Sequence, residues 1–413
     1  MILLFLLICI VFHLFSIAYY KKIFNAVGFF LFMFIASALC TLCNNEIPQS
    51  VMDYGFIWIS IGVIVFLLSF FIGQSTEGNT TRRKVTVCYN LVTVNLLINI
   101  CLVSNVICLL LALYEVLPIA GSIQNILLNS TWVRNEYLNR HSNFIIAIVG
   151  NWANMTSLVL VCLFPIATNN KLKYIRVRLV AVILVKACVS IVTLSKDALV
   201  LYTVLLVVAY IDYFPNIKKE IEFLRKNVKW MLFILIVLFT IVAMQRSYIG
   251  TRYDNYFEAV MGTFTGYLSV PVESFSQLIS SNLSQYTQGQ LSFRPIANLL
   301  SIFGLGDKVD IKQDVINGTD SNVYTMFGTM YRDFGCFGII FISIMYGLIC
   351  GLIYRRQHNK KLSQLFVNSM VTMVFAFAYY DFKFIQTIYV ASIIYAVILE
   401  KILINKLYIK IRQ

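Results

Sequence analysis

Over most of this chain, apolar residues run nearly unbroken for about 17–25 positions at a time, and short polar stretches separate the runs. A run of that length crosses about 30 Å of hydrocarbon as a helix. A transmembrane barrel would need short strands of alternating polarity, so the continuous pattern predicts helices. The expected spans lie near 2–18, 27–43, 56–73, 86–113, 143–167, 179–194, 198–213, 230–244, 335–354, 364–379 and 384–402. The expected fold class is an all-α polytopic membrane protein, residues 1–413 forming a single integral membrane domain with about eleven transmembrane helices. The fourth span is long enough to tilt or to hide a break.

Composition agrees with this. The chain is 59% hydrophobic and 13% charged, whereas a soluble domain is about half apolar and about a quarter charged. A net charge of +14 would suit nucleic acid, but its distribution excludes that partner. Lys and Arg cluster beside span ends: Lys21 and Lys22, Arg82 to Lys84, Lys171 to Arg178, Lys218 to Lys229, Arg355 to Lys361, and Lys401 to Arg412. With the N-terminus outside, every cluster falls on one side, as the positive-inside rule demands, and the C-terminus is cytoplasmic. Residues 1–18 have no basic n-region and no small-residue cleavage site, and Lys21-Lys22 follow them, so they read as an uncleaved first span. The ten cysteines lie within or beside spans. They read as small buried hydrophobes, not as disulfides or metal ligands.

The outer segments are then 44–55, 114–142, 195–197, 245–334 and 380–383. Residues 114–142 form a first outer loop. Residues 245–334 form a large one of about 90 residues, far longer than a connection needs. This large loop is expected to hold the working site. Its aromatics (Tyr248, Tyr253, Tyr256, Phe257, Phe264, Tyr267, followed by Phe275 and Leu278) suggest short helices lying along the membrane surface, although packing within the loop accounts for most of them. The outer basic residues are few and mostly arginine: Arg134, Arg140, Arg246, Arg252, Arg294 and Arg332. Orientation does not require them. The planar fork of Arg matches phosphate oxygens, so as a set they point to an anionic headgroup held at the surface. Individually, Arg134 could pair with Glu136, Arg252 with Asp254, and Arg332 with Asp333.

Weaker candidates accompany them. Lys196 lies in an outer turn beside Asp197, and Lys186 lies within a span, where charge is either functional or snorkels. Asn90, Asn95, Asn99 and Asn105 line a groove or bond across to neighbouring helices. Asp307, Asp310 and Asp314 suit a solvated loop better than a divalent ion, and His141 suits a surface better than a general base. No metal and no cofactor are expected. The chain has no nucleotide-binding Gly-rich loop, no Walker sequence, no HExxH and no GxSxG. An enzyme of this kind takes a donor that arrives already activated, such as a lipid-linked diphosphate.

The segment Asn322-Val323-Tyr324-Thr325, followed by Tyr331-Arg332-Asp333-Phe334-Gly335 and a Gly-rich span, resembles the oligosaccharide repeat-unit polymerases, the Wzy type of O-antigen polymerase. So do Ser195-Lys196-Asp197 and the progression Arg246, Tyr253, Tyr267, Pro271. The likeness runs from about 186 to 350; elsewhere it is one of topology. It implies a glycosyltransferase of the bacterial inner membrane, multi-pass, working on the periplasmic side in O-antigen or capsule biosynthesis. The growing glycan would pass from undecaprenyl diphosphate to the non-reducing end of the next lipid-linked repeat unit.

On this resemblance the two outer loops are 114–142 and 245–334. The substrate contacts are Arg134, Arg140, Arg246, Arg252, Arg332, Lys196, Asn322 and Tyr324. The arginines would neutralise the departing diphosphate. Asp333 or Asp254 would take the proton from the acceptor hydroxyl as general base. An Arg-x10-Gly pattern known in some members is absent after Arg246 and Arg252. The implied partners are an undecaprenyl-diphosphate-linked oligosaccharide, membrane lipid and a chain-length regulator protein. Two alternatives stay open. One is an O-antigen ligase, which shares the spans and the large loop. The other is a flippase for the same lipid-linked oligosaccharide, in which repeats and broken helices would be expected.

Overall fold

The computed structural model describes residues 1–43, 47–75, 84–128, 133, 136, 144–193, 196–214, 217–245, 255–281, 286–309, 323–354 and 361–410. In chain order its helices are α1 (Ile2–Tyr20), α2 (Ala26–Leu42), α3 (Gln49–Ser75), α4 (Leu91–Ala120), α5 (Ile123–Leu128), α6 (Phe144–Val161), α7 (Leu163–Asn169), α8 (Lys173–Val192) and α9 (Lys196–Tyr213). There follow α10 (Ile217–Gln245), α11 (Tyr256–Ser280), α12 (Arg294–Ile302), α13 (Met326–Ile353), α14 (Leu362–Phe377) and α15 (Thr387–Leu403). Each expected span overlaps a helix, though not along its whole length. Among the described residues, however, five stretches rather than eleven are long and apolar enough to cross a membrane: α1, α3, α4, Ile148–Asn169 and α13. The chain is membrane-embedded and overwhelmingly helical.

Several boundaries differ from expectation. Residues 84–89 are not the start of a span but a strand, β1 (Lys84–Tyr89), paired antiparallel with β2 (Ile404–Lys410), a short ribbon beside the helices. The run Val85-Thr86-Val87 suits a pleated strand. Asn90 then caps α4, its side chain accepting from the N–H groups of Val92 and Thr93. At its other end α4 continues through Pro118 to Ala120 and closes on Gly121 with φ 72°, so the loop expected from residue 114 begins later. The 245–334 interval contains α11, α12 and the first turns of α13.

The chain divides into two compact units. The first comprises Met1–Arg82, Thr265–His358 and Met370–Val390. Its axis is the pair α3 and α13. A Cβ at Gly351 would meet the carbonyl oxygen of Phe70, and one at Gly347 that of Phe66. The two backbones approach this closely because small residues recur at the crossing. Rings fill the space beside it: Phe30 stacks on Phe66 at 5.4 Å, and Phe375 lies 5.1 Å from Phe66 and 5.2 Å from Phe70. The Gln74 side chain closes the far end of α13, donating to the carbonyls of Gly351, at 2.9 Å, and Tyr354.

The second unit comprises Arg83–Phe264, Asn359–Ser369 and Ala391–Gln413. Here α4 packs on α6 and α8, and two of its asparagines bond across helices. Asn105 donates to Ser157 Oγ at 3.0 Å, and Asn99 accepts from Arg178 at 2.8 Å. Tyr89 accepts from the Leu362 N–H at 2.7 Å, and Glu400 accepts from the N–H and hydroxyl of Ser363.

Candidate functional site

The site is built on a break in α13. Regular helix is interrupted at Phe334 (φ −143°, ψ 21°) and Gly335 (φ 64°, ψ −151°). The second of these conformations is open to glycine and to almost no other residue. A break also releases carbonyls that a continuous helix would pair internally. The turn at 286–293 supplies the missing donors. The Thr287 N–H bonds to the Arg332 carbonyl at 3.0 Å, and the Gln288 N–H to the Asp333 carbonyl at 3.1 Å.

The Asp333 side chain fastens the same turn. Oδ1 accepts from the Thr287 hydroxyl at 2.5 Å and the Leu291 N–H at 3.1 Å, and Oδ2 accepts from the Ser292 N–H at 2.7 Å. Asp333 is 0% exposed. Burying a carboxylate is costly unless donors replace its water, and here three do. Tyr346, further along α13, adds a fourth tie: its hydroxyl donates to the Ser292 carbonyl at 2.6 Å. Its ring meets Phe382 edge-on at 4.5 Å.

The chain leaves this turn as α12 and folds back against it. Gly304 (φ 73°) follows the helix, and the Leu305 N–H bonds to the Leu300 carbonyl at 3.0 Å. Val309 is then held twice. Its carbonyl accepts from Arg294 Nε at 2.8 Å and its N–H donates to Asn298 Oδ1 at 2.9 Å. Between the turn, α12 and the returning strand of chain lies a cleft of about 650 Å³. Leu300 and Leu305 form part of its apolar wall, and Thr287, Gln290, Asp307, Lys308 and Arg332 supply polar groups.

Arg332 and Asp333, adjacent in sequence, have separate roles. Arg332 is half-buried and lines the cleft. It does not pair with Asp333, whose oxygens are taken by Thr287, Leu291 and Ser292. Among the described residues the Arg332 guanidinium makes no ion pair. Asp333, proposed from sequence as a general base, has both oxygens engaged and no exposed surface. Its carboxylate fastens the 286–293 turn to the break beside Arg332.

The other expected site residues are distributed as follows. Tyr324 is 5% exposed and packs at the head of α13, with its Cβ against Gly328, so it supports the cleft's frame without lining it. Lys196 is the first residue of α9. Arg134, Arg140, Arg246, Arg252, Asp254 and Asn322 lie outside the described residues, as do His141, Tyr248, Tyr253, Asp310 and Asp314. Phe275 and Leu278 are core, both at 0% exposure, while Phe257 is exposed. Tyr267 stacks on Tyr380 at 5.7 Å.

Sequence reasoning misses Thr287, Ser292 and Tyr346, which carry no motif and matter only through contacts made on folding. Gly335 had a signal, a glycine directly after Asp333-Phe334 at the head of a span. Cys40-Thr41-Leu42-Cys43, a C-x-x-C spacing, is also passed over. It closes α2, with both thiols free and Cys43 exposed. Among the described residues no group of three or more His, Cys, Asp or Glu could hold a metal ion.

Chemically the cleft offers a guanidinium, an ammonium and one carboxylate, that of Asp307, beside an apolar wall. Such a surface takes a phosphate-bearing ligand with an apolar or sugar-ring face. Compared with family models, curated proteins and solved structures, the chain finds no match.

Proposed function

We propose that this protein polymerises lipid-linked oligosaccharide repeat units at the outer face of a bacterial inner membrane. The growing glycan moves from its undecaprenyl diphosphate onto the next repeat unit. The observation that carries the reading is Arg332, half-buried in a cleft and without an ion-pair partner among the described residues. Positive charge on the outer side is unneeded for orientation. A guanidinium held in place by a locked helix break suits the diphosphate that departs in this transfer. The likeness of the segment 322–335 to repeat-unit polymerases supports the same activity. With Asp333 engaged in the break, Asp254 is the carboxylate assigned to take the acceptor hydroxyl proton.

The break in α13 also bears on a flippase reading, because transporters use discontinuous helices near the midplane. This break stands at the head of the expected span 335–354 and is closed by the 286–293 turn, which favours a fixed site over a moving gate.

The deciding experiment is a glycan ladder from cells lacking the gene, complemented with wild type, Arg332→Ala or Arg252→Ala. Polymerisation predicts that the deletion keeps a single repeat unit on the lipid A core and loses the ladder. Loss of that single unit as well would assign ligation or flipping instead.

A further inference from the structure

Helix α12 has two unlike faces. Arg294, Asn298 and Ser301 recur at helical spacing on one side, and two of them tie down Val309. On the other side stand Ile296, Leu299, Leu300 and Phe303, exposed to 58%, 54%, 41% and 71%, with Leu305 beyond them at 68%. The spacing i, i+3, i+4, i+7 makes these one stripe. An apolar stripe of this kind is a surface waiting for an occupant.

The occupant follows from what the stripe adjoins. α13 is one of the helices long and apolar enough to cross a membrane, and its exposed side carries Phe337 at 69% exposure stacked on Phe341 at 6.0 Å. Phe334, at the break of the same helix, is 37% exposed. Its ring and that of Phe293 close on Gly289, whose φ of 88° turns the chain toward α12. The apolar surface therefore passes from a spanning helix, through Phe334 and the turn, toward α12, which begins one residue after Phe293.

We propose that α12 and residues 303–305 lie in the polar–apolar boundary of the bilayer, with the stripe Ile296, Leu299, Leu300, Phe303 and Leu305 facing the acyl chains. Interfacial helices sink about 5–10 Å below the headgroups. The cleft shares Leu300 and Leu305 with that stripe and carries Lys308 and Arg332 beside them. Its mouth is thereby held at the depth of lipid phosphates. A membrane-bound diphosphate reaches Arg332 by sliding along the leaflet and never crosses open water. This last consequence rests on the polymerase reading; the leaflet contact does not.

The test is photolabelling of the full-length protein in phosphatidylethanolamine–phosphatidylglycerol vesicles, using a trace of phospholipid with a diazirine on its acyl chain. The expected result is lipid attached within 296–305, at a yield within about threefold of that at Phe337 and Phe341, because both regions would touch chains. Replacing Leu299→Glu together with Phe303→Glu should lower the 296–305 label by about tenfold or more, since charge is expelled from hydrocarbon. Label at 337–341 should persist in that variant. Wild type alone decides the matter. Label at 337–341 with none at 296–305 overturns the proposal, and so does crosslinking of 296–305 to a second copy of the chain. The glycan ladder plays no part in this readout, so failure of the polymerase reading would leave it intact.

Discussion

The Asp333 carboxylate accepts a 2.7 Å hydrogen bond from the Ser292 N–H across a separation of 41 residues. With the bonds from Thr287 and Leu291, this clasps the 286–293 turn to the break in α13. The carboxylate is thus part of the scaffold that aims Arg332.

Replacing Asp333 tests that role against catalysis. Asp333→Ala leaves buried N–H groups without acceptors, a loss of about 2–5 kcal/mol by the usual cost of unmet donors. Asp333→Asn should also destabilise, because one half of the amide is itself a donor facing donors. Thermal unfolding of the detergent-purified protein reads both. An Asp333→Asn variant that melts like wild type yet makes no ladder would restore Asp333 as the base and defeat the anchoring role.

Gly335 holds a conformation reserved for glycine, and an added Cβ would lie 3.0 Å from the Tyr286 hydroxyl oxygen. Gly335→Ala should therefore cost about 1–3 kcal/mol, the range for enforced backbone strain. Because strain dominates, Tyr286→Phe in the same chain, which removes that oxygen, should recover only a minor part. Full recovery of the melting temperature in the double variant would mean crowding, not backbone, makes the glycine necessary.

Arg332 should behave in the opposite way. Its guanidinium makes no ion pair among the described residues but is half-buried, so Arg332→Ala should destabilise by no more than about 1 kcal/mol, the centre of the range for point substitutions. On the polymerase reading, glycan polymerisation should nevertheless fall by about a hundredfold, the scale for losing a donor that stabilises developing charge. Arg332→Lys should restore part of it, keeping charge without the bidentate fork. If Arg332→Ala polymerises at the wild-type level, the cleft is not the diphosphate site.

The helical fold was legible because each span is a long apolar run, and the bilayer leaves few other choices for such runs. The β1–β2 ribbon was not, since Val85-Thr86-Val87 is as apolar as the span it precedes and its partner lies at the other end of the chain. At the cleft, Arg332 stood out in the sequence as a cation expected on the side that the orientation rule disfavours. The division of labour between Arg332 and Asp333 was hidden, because adjacent helix positions point different ways and the donors to Asp333 come from a turn with no motif. Tyr324 illustrates the converse: it stands in the segment resembling a family motif, yet packs into the core at the head of α13.

The crossing of α3 and α13 yields a last prediction about how the frame under the site is held. Gly351 lies against the Phe70 carbonyl, and four residues along from Phe70 the Gln74 side chain donates to the Gly351 carbonyl at 2.9 Å. The two features depend on each other: only glycine lets the backbones close far enough for the short Gln74 side chain to reach. Gly351→Ala should push the helices apart and break that hydrogen bond, so Gln74→Leu should cost less in the Gly351→Ala background than alone. The coupling expected between contacting residues is about 0.5–3 kcal/mol. A double-mutant cycle on melting of the purified protein measures it. Strict additivity would mean that Gln74 keeps its bond without the close approach, and the glycine would then serve packing alone.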